Sequence, residues 1–133
     1  MPDYMPVNTD TGSVTLTAGA AITGGLLVTS GGTDDTVVHT TSSTQGRRPI
    51  GVAAQDAPSG GRVGVYPLPG YLHAVPAENG STPVDGDLAI ASTTPGRITS
   101  VALSSATVAA IGSIVRSTTG STSASLTTRF LGF

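Results

Sequence analysis

Hydrophobic and polar residues alternate in short runs along most of this chain. The first run, residues 13–18 (Ser-Val-Thr-Leu-Thr-Ala), has the two-residue period of a half-buried β-strand. Similar runs bounded by Gly and Pro predict further strands at 26–28, 36–41, 50–54, 62–66, 72–75, 88–91, 96–103, 111–116 and 124–130. Only residues 104–110 favour a helical turn. The pattern predicts an all-β fold, a compact β-barrel or β-sandwich of short antiparallel strands with one short helix at most.

The first twelve residues lack this alternation. Pro2 and Pro6 disfavour a helix at and before each position. Tyr4, Met5 and Val7 carry apolar side chains that have no partner within so short a segment, and such side chains usually pack on another surface. We therefore predict an extended N-terminal arm at residues 1–12, followed by a single β body at residues 13–133.

Parts of the β body repeat weakly along the chain. Three matches follow one another in the same order at an offset of about 61 residues: Ala21–Val28 with Pro83–Ile90, Ile50–Val52 with Ile111–Ser113, and Val63–Val65 with Ala124–Leu126. A duplication of two units is too short for a solenoid and fits a β body with two related halves. Chance similarity among common residues is the alternative explanation.

Composition narrows the classes of function. Only 11% of residues are charged, against about 25% in an average globular protein, and the formal net charge is −2. This balance argues against nucleic-acid binding, which requires a basic patch, and so weakly charged a surface favours association with other chains. The chain has no Cys, so thiolate metal sites and disulfides are excluded. It shows no signal peptide and no apolar run of membrane-spanning length, and synthesis in a cytoplasm is expected.

No group of residues forms a recognisable catalytic, cofactor or metal site. His39 and His73 have no second ligand at metal-binding spacing, and we expect both to be structural. Asp85 and Asp87 flank Gly86 in a pattern more typical of a turn than of a calcium loop. The pair Arg47-Arg48 is too small for nucleic-acid binding and is expected to be a solvated loop or a contact to an acidic partner. The sequence thus predicts a protein that is not an enzyme.

Three segments resemble a known family: Ala18–Val28, Ile50–Ala57 and Gly60–Val65. With the later segment Val84–Leu88, they are similar to the small head decoration proteins, or capsid cement proteins, of tailed bacteriophages. The similarity covers about Ala18 to Ile114. The second half departs from the pattern, because Ile111–Ile114 lacks the Ala-Asp-Ala that follows the first copy.

The resemblance implies a function and a location. Proteins of this family bind the outer surface of the head shell and stabilise it, often as trimers. It implies that the chain is made in a host bacterium and becomes part of the virion, with the major capsid protein as its partner and neither nucleic acid nor membrane as a ligand. The capsid-binding residues would be those of the arm: Pro2, Tyr4, Met5, Pro6 and Val7. The alternative is a carbohydrate- or host-surface-binding β-sandwich on a virion, for which Tyr66 and Tyr71 are the candidate aromatic contacts.

Overall fold

The chain folds into short β-strands joined by turns. The computed structural model describes residues 13–41, 48–69, 72–78, 83–102, 104, 110–117 and 127–132. Within these residues there are ten strands and no α-helix: β1 (Val14–Ala18), β2 (Leu27–Ser30), β3 (Thr36–His39), β4 (Pro49–Ala53), β5 (Arg62–Pro67), β6 (Leu72–Pro76), β7 (Leu88–Ala91), β8 (Ile98–Val101), β9 (Gly112–Ser117) and β10 (Thr127–Gly132). The predicted all-β class is confirmed, and every predicted strand overlaps an observed one. The predicted arm and, apart from Ser104 and Ala110, the predicted helical turn lie outside the described residues.

Strands β1 to β5 close into a barrel in the order β1-β3-β2-β4-β5. We call residues 13–69, which contain it, the first repeat. Four of its five strand pairs are antiparallel, as predicted, and the β1–β3 pair is parallel. One parallel pair is unavoidable, because an odd number of strands cannot form a closed ring in which every neighbour runs in the opposite direction.

Strands β6 to β10 repeat this arrangement. Their order is β6-β10-β9-β7-β8, which matches the first barrel when each strand is replaced by the strand five places later. We call residues 72–132 the second repeat. Its edge strands meet through one parallel bridge between Ala77 and Ile98, the counterpart of the parallel pair Ala18–Val37.

The ladders establish which residues of the two repeats correspond. Gly25 N–H donates to Ala53 O at 2.8 Å, and Gly86 N–H donates to Ile114 O at 3.0 Å. Both glycines have positive φ, 83° and 92°. This supports the internal duplication with a shift of about 61 residues over β2 to β4.

One predicted match is wrong in its register. Residues Val63–Val65 were expected to correspond to 124–126, but β5 corresponds to β10. Val65 pairs with Val14 and Ala53, and Phe130 holds the same place between His73 and Ile114. The connection before β10 is about four residues longer than the one before β5, so a constant offset fails there.

Two apolar clusters form the core. One lies inside the first barrel and contains Ala18, Ile22, Val28, Val37, Ala53, Ala57, Val63 and Val65. The other joins the two repeats: Leu27, Val52 and Leu68 of the first pack with Val75, Ala89, Ile98, Ile111, Ile114 and Phe130 of the second. Neighbouring residues of a strand point to opposite faces, so Leu27 and Val28 serve different clusters. The shared cluster ties the two repeats together.

Candidate docking surfaces

The outer face of the first barrel is covered by the second repeat. Thr40, Leu27, Val52 and Tyr66 lie side by side across β3, β2, β4 and β5, and we call them the first outer row. Leu27 and Thr40 are 0% exposed and Val52 is 7% exposed, whereas Tyr66 at the end of the row is 37% exposed. Directly paired residues share a face of a sheet, so the row is one surface that the second repeat buries almost to its end.

Backbone hydrogen bonds fix this contact between the repeats. Leu27 N–H donates to Gly96 O at 2.9 Å, and Gly96 N–H donates to Thr40 O at 2.7 Å. Gly96 has a φ of +77°, and a Cβ atom there would lie 2.6 Å from the Cβ of Leu26. The turn can approach this closely only because Gly96 has no side chain.

Arg48 contributes to the same contact. Its guanidinium Nη2 donates to the carbonyl of Ala110 at 3.2 Å. The sequence left two interpretations for the Arg47-Arg48 pair, a solvated loop or a contact to an acidic partner. Neither describes Arg48, because its partner is a backbone carbonyl of the second repeat; Arg47 lies outside the described residues.

The corresponding row of the second repeat has nothing packed over it. Ladder partners place five residues side by side across the sheet, in the order Leu72, Leu131, Ser113, Leu88 and Val101, and we call them the second outer row. Leu72 is 55% exposed and Leu131 is 48% exposed, and the other three are half-buried. A row of four aliphatic side chains facing solvent is typical of a surface that binds another chain.

Further aliphatic side chains of the second repeat are exposed. Val84 is 53% and Val115 is 51% exposed, and their counterparts in the first repeat are Thr23 and Ala54. In the first repeat, Ile50 is 40% exposed, although its counterpart Ile111 is 1% exposed. The two repeats therefore share a backbone and differ in where they present apolar surface.

The structure brings none of the predicted arm residues to a site. Pro2, Tyr4, Met5, Pro6 and Val7 lie outside the described residues, as does Tyr71. The terminal residues were predicted to form a last strand, with a docking tail as the alternative. Phe130 is 0% exposed in β10, in agreement with the strand, while Leu131 faces outward.

Both histidines bond to the backbone. Thr23 N–H donates to His39 Nε2 at 2.9 Å, and His39 Nδ1 lies 3.3 Å from Leu27 O. His73 Nε2 donates to Pro67 O at 2.8 Å, and its ring lies 5.5 Å from that of Phe130. Burial lowers the pKa of His73, and its hydrogen bonds to the backbone of Pro67 and Leu68 oppose this in part. These contacts agree with the structural role that the sequence predicted.

The acidic pair lies in a turn. Asp87 N–H donates to Val84 O at 3.1 Å across Gly86, whose φ is +92°. Across the described part of the chain, no three His, Cys, Asp or Glu residues gather in a way that could hold a metal ion. Likewise, the described residues include no helix of the length and apolarity needed to cross a membrane.

Comparison with known proteins starts from the class that this geometry defines, a duplicated β-barrel protein with an exposed aliphatic sheet face. Its fold is similar to the crystal structure of the head fiber gp8.5 N base in bacteriophage phi29, with a TM-score of 0.61 and 25% sequence identity. The match covers 90% of this chain and 92% of that one. No protein-family model matches the sequence, and no curated protein matches it significantly. The similarity supports a virion structural protein associated with a phage head.

Proposed function

We propose that this protein is a capsid decoration protein that binds the outer surface of a phage head and stabilises the shell. The observation that carries the proposal is the fold similarity to the base of a phage head fiber over nine-tenths of the chain. The weak charge and the exposed second outer row fit a protein that acts through adhesion. The proposed role is structural and requires no catalysis and no cofactor.

The major capsid protein is the proposed partner, bound through the arm at residues 1–12. An extended segment that contains Pro and apolar side chains is suited to lie along the edge of a sheet in another chain, where main-chain hydrogen bonds provide affinity. Tyr4, Met5 and Val7 would anchor it. Many copies on one shell multiply a modest affinity for each site, and a homotrimer would do so further.

Binding to purified expanded heads tests the arm. We expect a chain that begins at Ser13 to fold, as measured by circular dichroism, and to lose binding in a sedimentation assay. A full-length variant with Tyr4, Met5 and Val7 replaced by Ser is the matched control for length, and it should also bind less. If either protein decorates heads at full occupancy, the arm is not the capsid-binding element.

A second candidate function is the base of a head fiber, which the printed description of the similar structure favours. A fiber base attaches to the head on one side and carries a projection on the other, whereas a decoration protein forms a compact protrusion. Cryo-electron microscopy of native particles separates the two by the length of density beyond the ten strands. A glycan array tests the carbohydrate-binding alternative, in which exposed Tyr66 would be a contact.

A further inference from the structure

Equivalent positions of the two repeats differ in burial. Leu27 and Leu88 occupy the same place in β2 and β7, and Leu27 is 0% exposed whereas Leu88 is half-buried. The same holds for buried Thr40 and half-buried Val101. The repeats share strand order and register, so the difference comes from what lies over each row. The second repeat covers the first outer row, and nothing in the described chain covers the second.

The covering surface of the second repeat also has a counterpart. It includes the turn at Gly96 and the segment Ala110–Ile111, where Arg48 is bonded. Ile111 is 1% exposed, and its counterpart Ile50 in the first repeat is 40% exposed. We call the exposed surface around Ile50 the Ile50 edge. One chain therefore contains one complete contact between repeats and the two uncovered halves of a second such contact.

We propose that the second outer row binds the Ile50 edge of another copy of this chain, head to tail. The two halves remain uncovered within one chain, so a second copy is needed to bring them together. A head-to-tail contact joins different surfaces of the two partners and forms a ring when the rotation closes. The inference names the surfaces behind the homo-oligomer in the proposed function, and it rests on that function only for its setting on a phage head.

The contact between copies would not be an identical replica of the contact within the chain. The counterpart of Gly96 is Asp35, which has a side chain and a φ of 56°. The counterpart of Leu26, against which Gly96 packs, is Asp87. Two carboxylates at this point hold the surfaces further apart and repel each other. We therefore expect the contact between copies to be weaker than the contact within the chain and to tighten in salt, which screens the repulsion.

Native mass spectrometry and sedimentation of the purified full-length chain test the proposal without capsids. The wild-type protein should form an oligomer, and Ile50→Asp and Leu88→Asp should each raise the dissociation constant at least about tenfold, since each places a charge in an apolar contact. Leu131→Asp, at a more exposed position of the row, provides a second variant if Leu88→Asp folds poorly by circular dichroism. Thr15→Asp, on the exposed outer side of β1, is the matched control and should assemble normally.

Mixing the variants gives the sharpest result. Ile50→Asp retains a normal second outer row and Leu88→Asp retains a normal Ile50 edge, so the mixture should form one-to-one heterodimers and nothing larger. A monomeric wild-type protein, or a mixture that stays monomeric while both variants are folded, would overturn the proposal. So would loss of assembly when Tyr4, Met5 and Val7 are replaced by Ser, because the arm would then be the occupant of the row.

This outcome is separate from capsid binding. A chain that forms oligomers but ignores phage heads would retain the head-to-tail contact and remove the proposed function. A chain that decorates heads as a monomer would do the reverse.

Discussion

The first and second repeats have one architecture and two different surfaces. Both have five strands in the same order, with the same turn hydrogen bonds at Gly25 and Gly86. The first is a closed barrel whose outer row is buried, and the second closes through a single bridge and leaves its outer row exposed. Strand order and register follow from the ladder, which both repeats retain. The outward side chains follow from the neighbours of each repeat, and these differ.

The glycines at the centre of each repeat test the shared architecture and should have the largest effect. A Cβ atom on Gly51 would lie 2.2 Å from Tyr66 O, and one on Gly112 would lie 2.3 Å from Leu131 O. We expect Gly51→Ala and Gly112→Ala each to lower the free energy of unfolding by more than about 4 kcal/mol, because backbone must move. Urea denaturation monitored by circular dichroism measures this.

The control for that pair is Gly25→Ala. Its Cβ would meet no atom, so only the positive φ of 83° opposes the change. A cost of about 1–2 kcal/mol is expected there. Equal losses at Gly51 and Gly25 would show that close backbone approach is not what the central glycines permit.

The two outer rows are compared directly by Leu27→Ala and Leu88→Ala. Leu27 is fully buried under the second repeat, so its truncation should cost about 2–5 kcal/mol. Leu88 is half-buried, and its truncation should cost less than about 1 kcal/mol when the protein is dilute enough to be monomeric. Thermal and urea unfolding of both variants would contradict the unequal coverage if the two losses were similar.

The repeats differ at one interior position where the second is at a disadvantage. The hydroxyl of Thr128 is buried without a hydrogen-bond partner, and its counterpart in the first barrel is Val63. Thr128→Val keeps the shape and removes the unsatisfied group, so we expect stability to rise by about 1 kcal/mol. The reverse change, Val63→Thr, should destabilise the protein by a similar amount. An unfolding midpoint that falls with Thr128→Val would contradict this.

The smallest effect concerns His73, whose counterpart is Val14. Burial lowers the pKa of His73 in the folded chain, so the unfolded chain binds the proton more readily. The stability contributed by the neutral ring is complete above the unfolded pKa of about 6.5, and it falls as the pH drops from there through the lower folded value. His73→Val should remove that dependence, as measured by unfolding midpoints between about pH 7 and pH 5. An unchanged pH profile would count against it.

The sequence carried much of the fold. The alternation of β-branched and hydroxyl residues located all ten strands, because a half-buried strand requires a two-residue period. The match between Ile50–Val52 and Ile111–Ser113 was right in its register, since both sequences retain the central glycine that the close ladder requires. The match of Val63–Val65 failed, because an insertion in a connection changes the offset without changing the strand pairing.

The candidate site could be predicted only in part. Low charge and the resemblance to phage decoration proteins indicated adhesion as the function, and the arm stays a prediction. Leu27 and Leu88 look alike in the sequence, each at the start of a short strand after a glycine turn. Ile50 and Ile111 are equally alike, although one is exposed and the other is buried.

Local alternation determined by itself where this chain is extended, where it turns and which class of fold it adopts. The tertiary structure alone decided which of two equivalent rows is covered and which is left to bind a partner. The physical reason is that strand periodicity depends on the residues of one segment, whereas burial depends on what packs against that segment from far along the chain. A leucine in a strand indicates an apolar contact without indicating its partner.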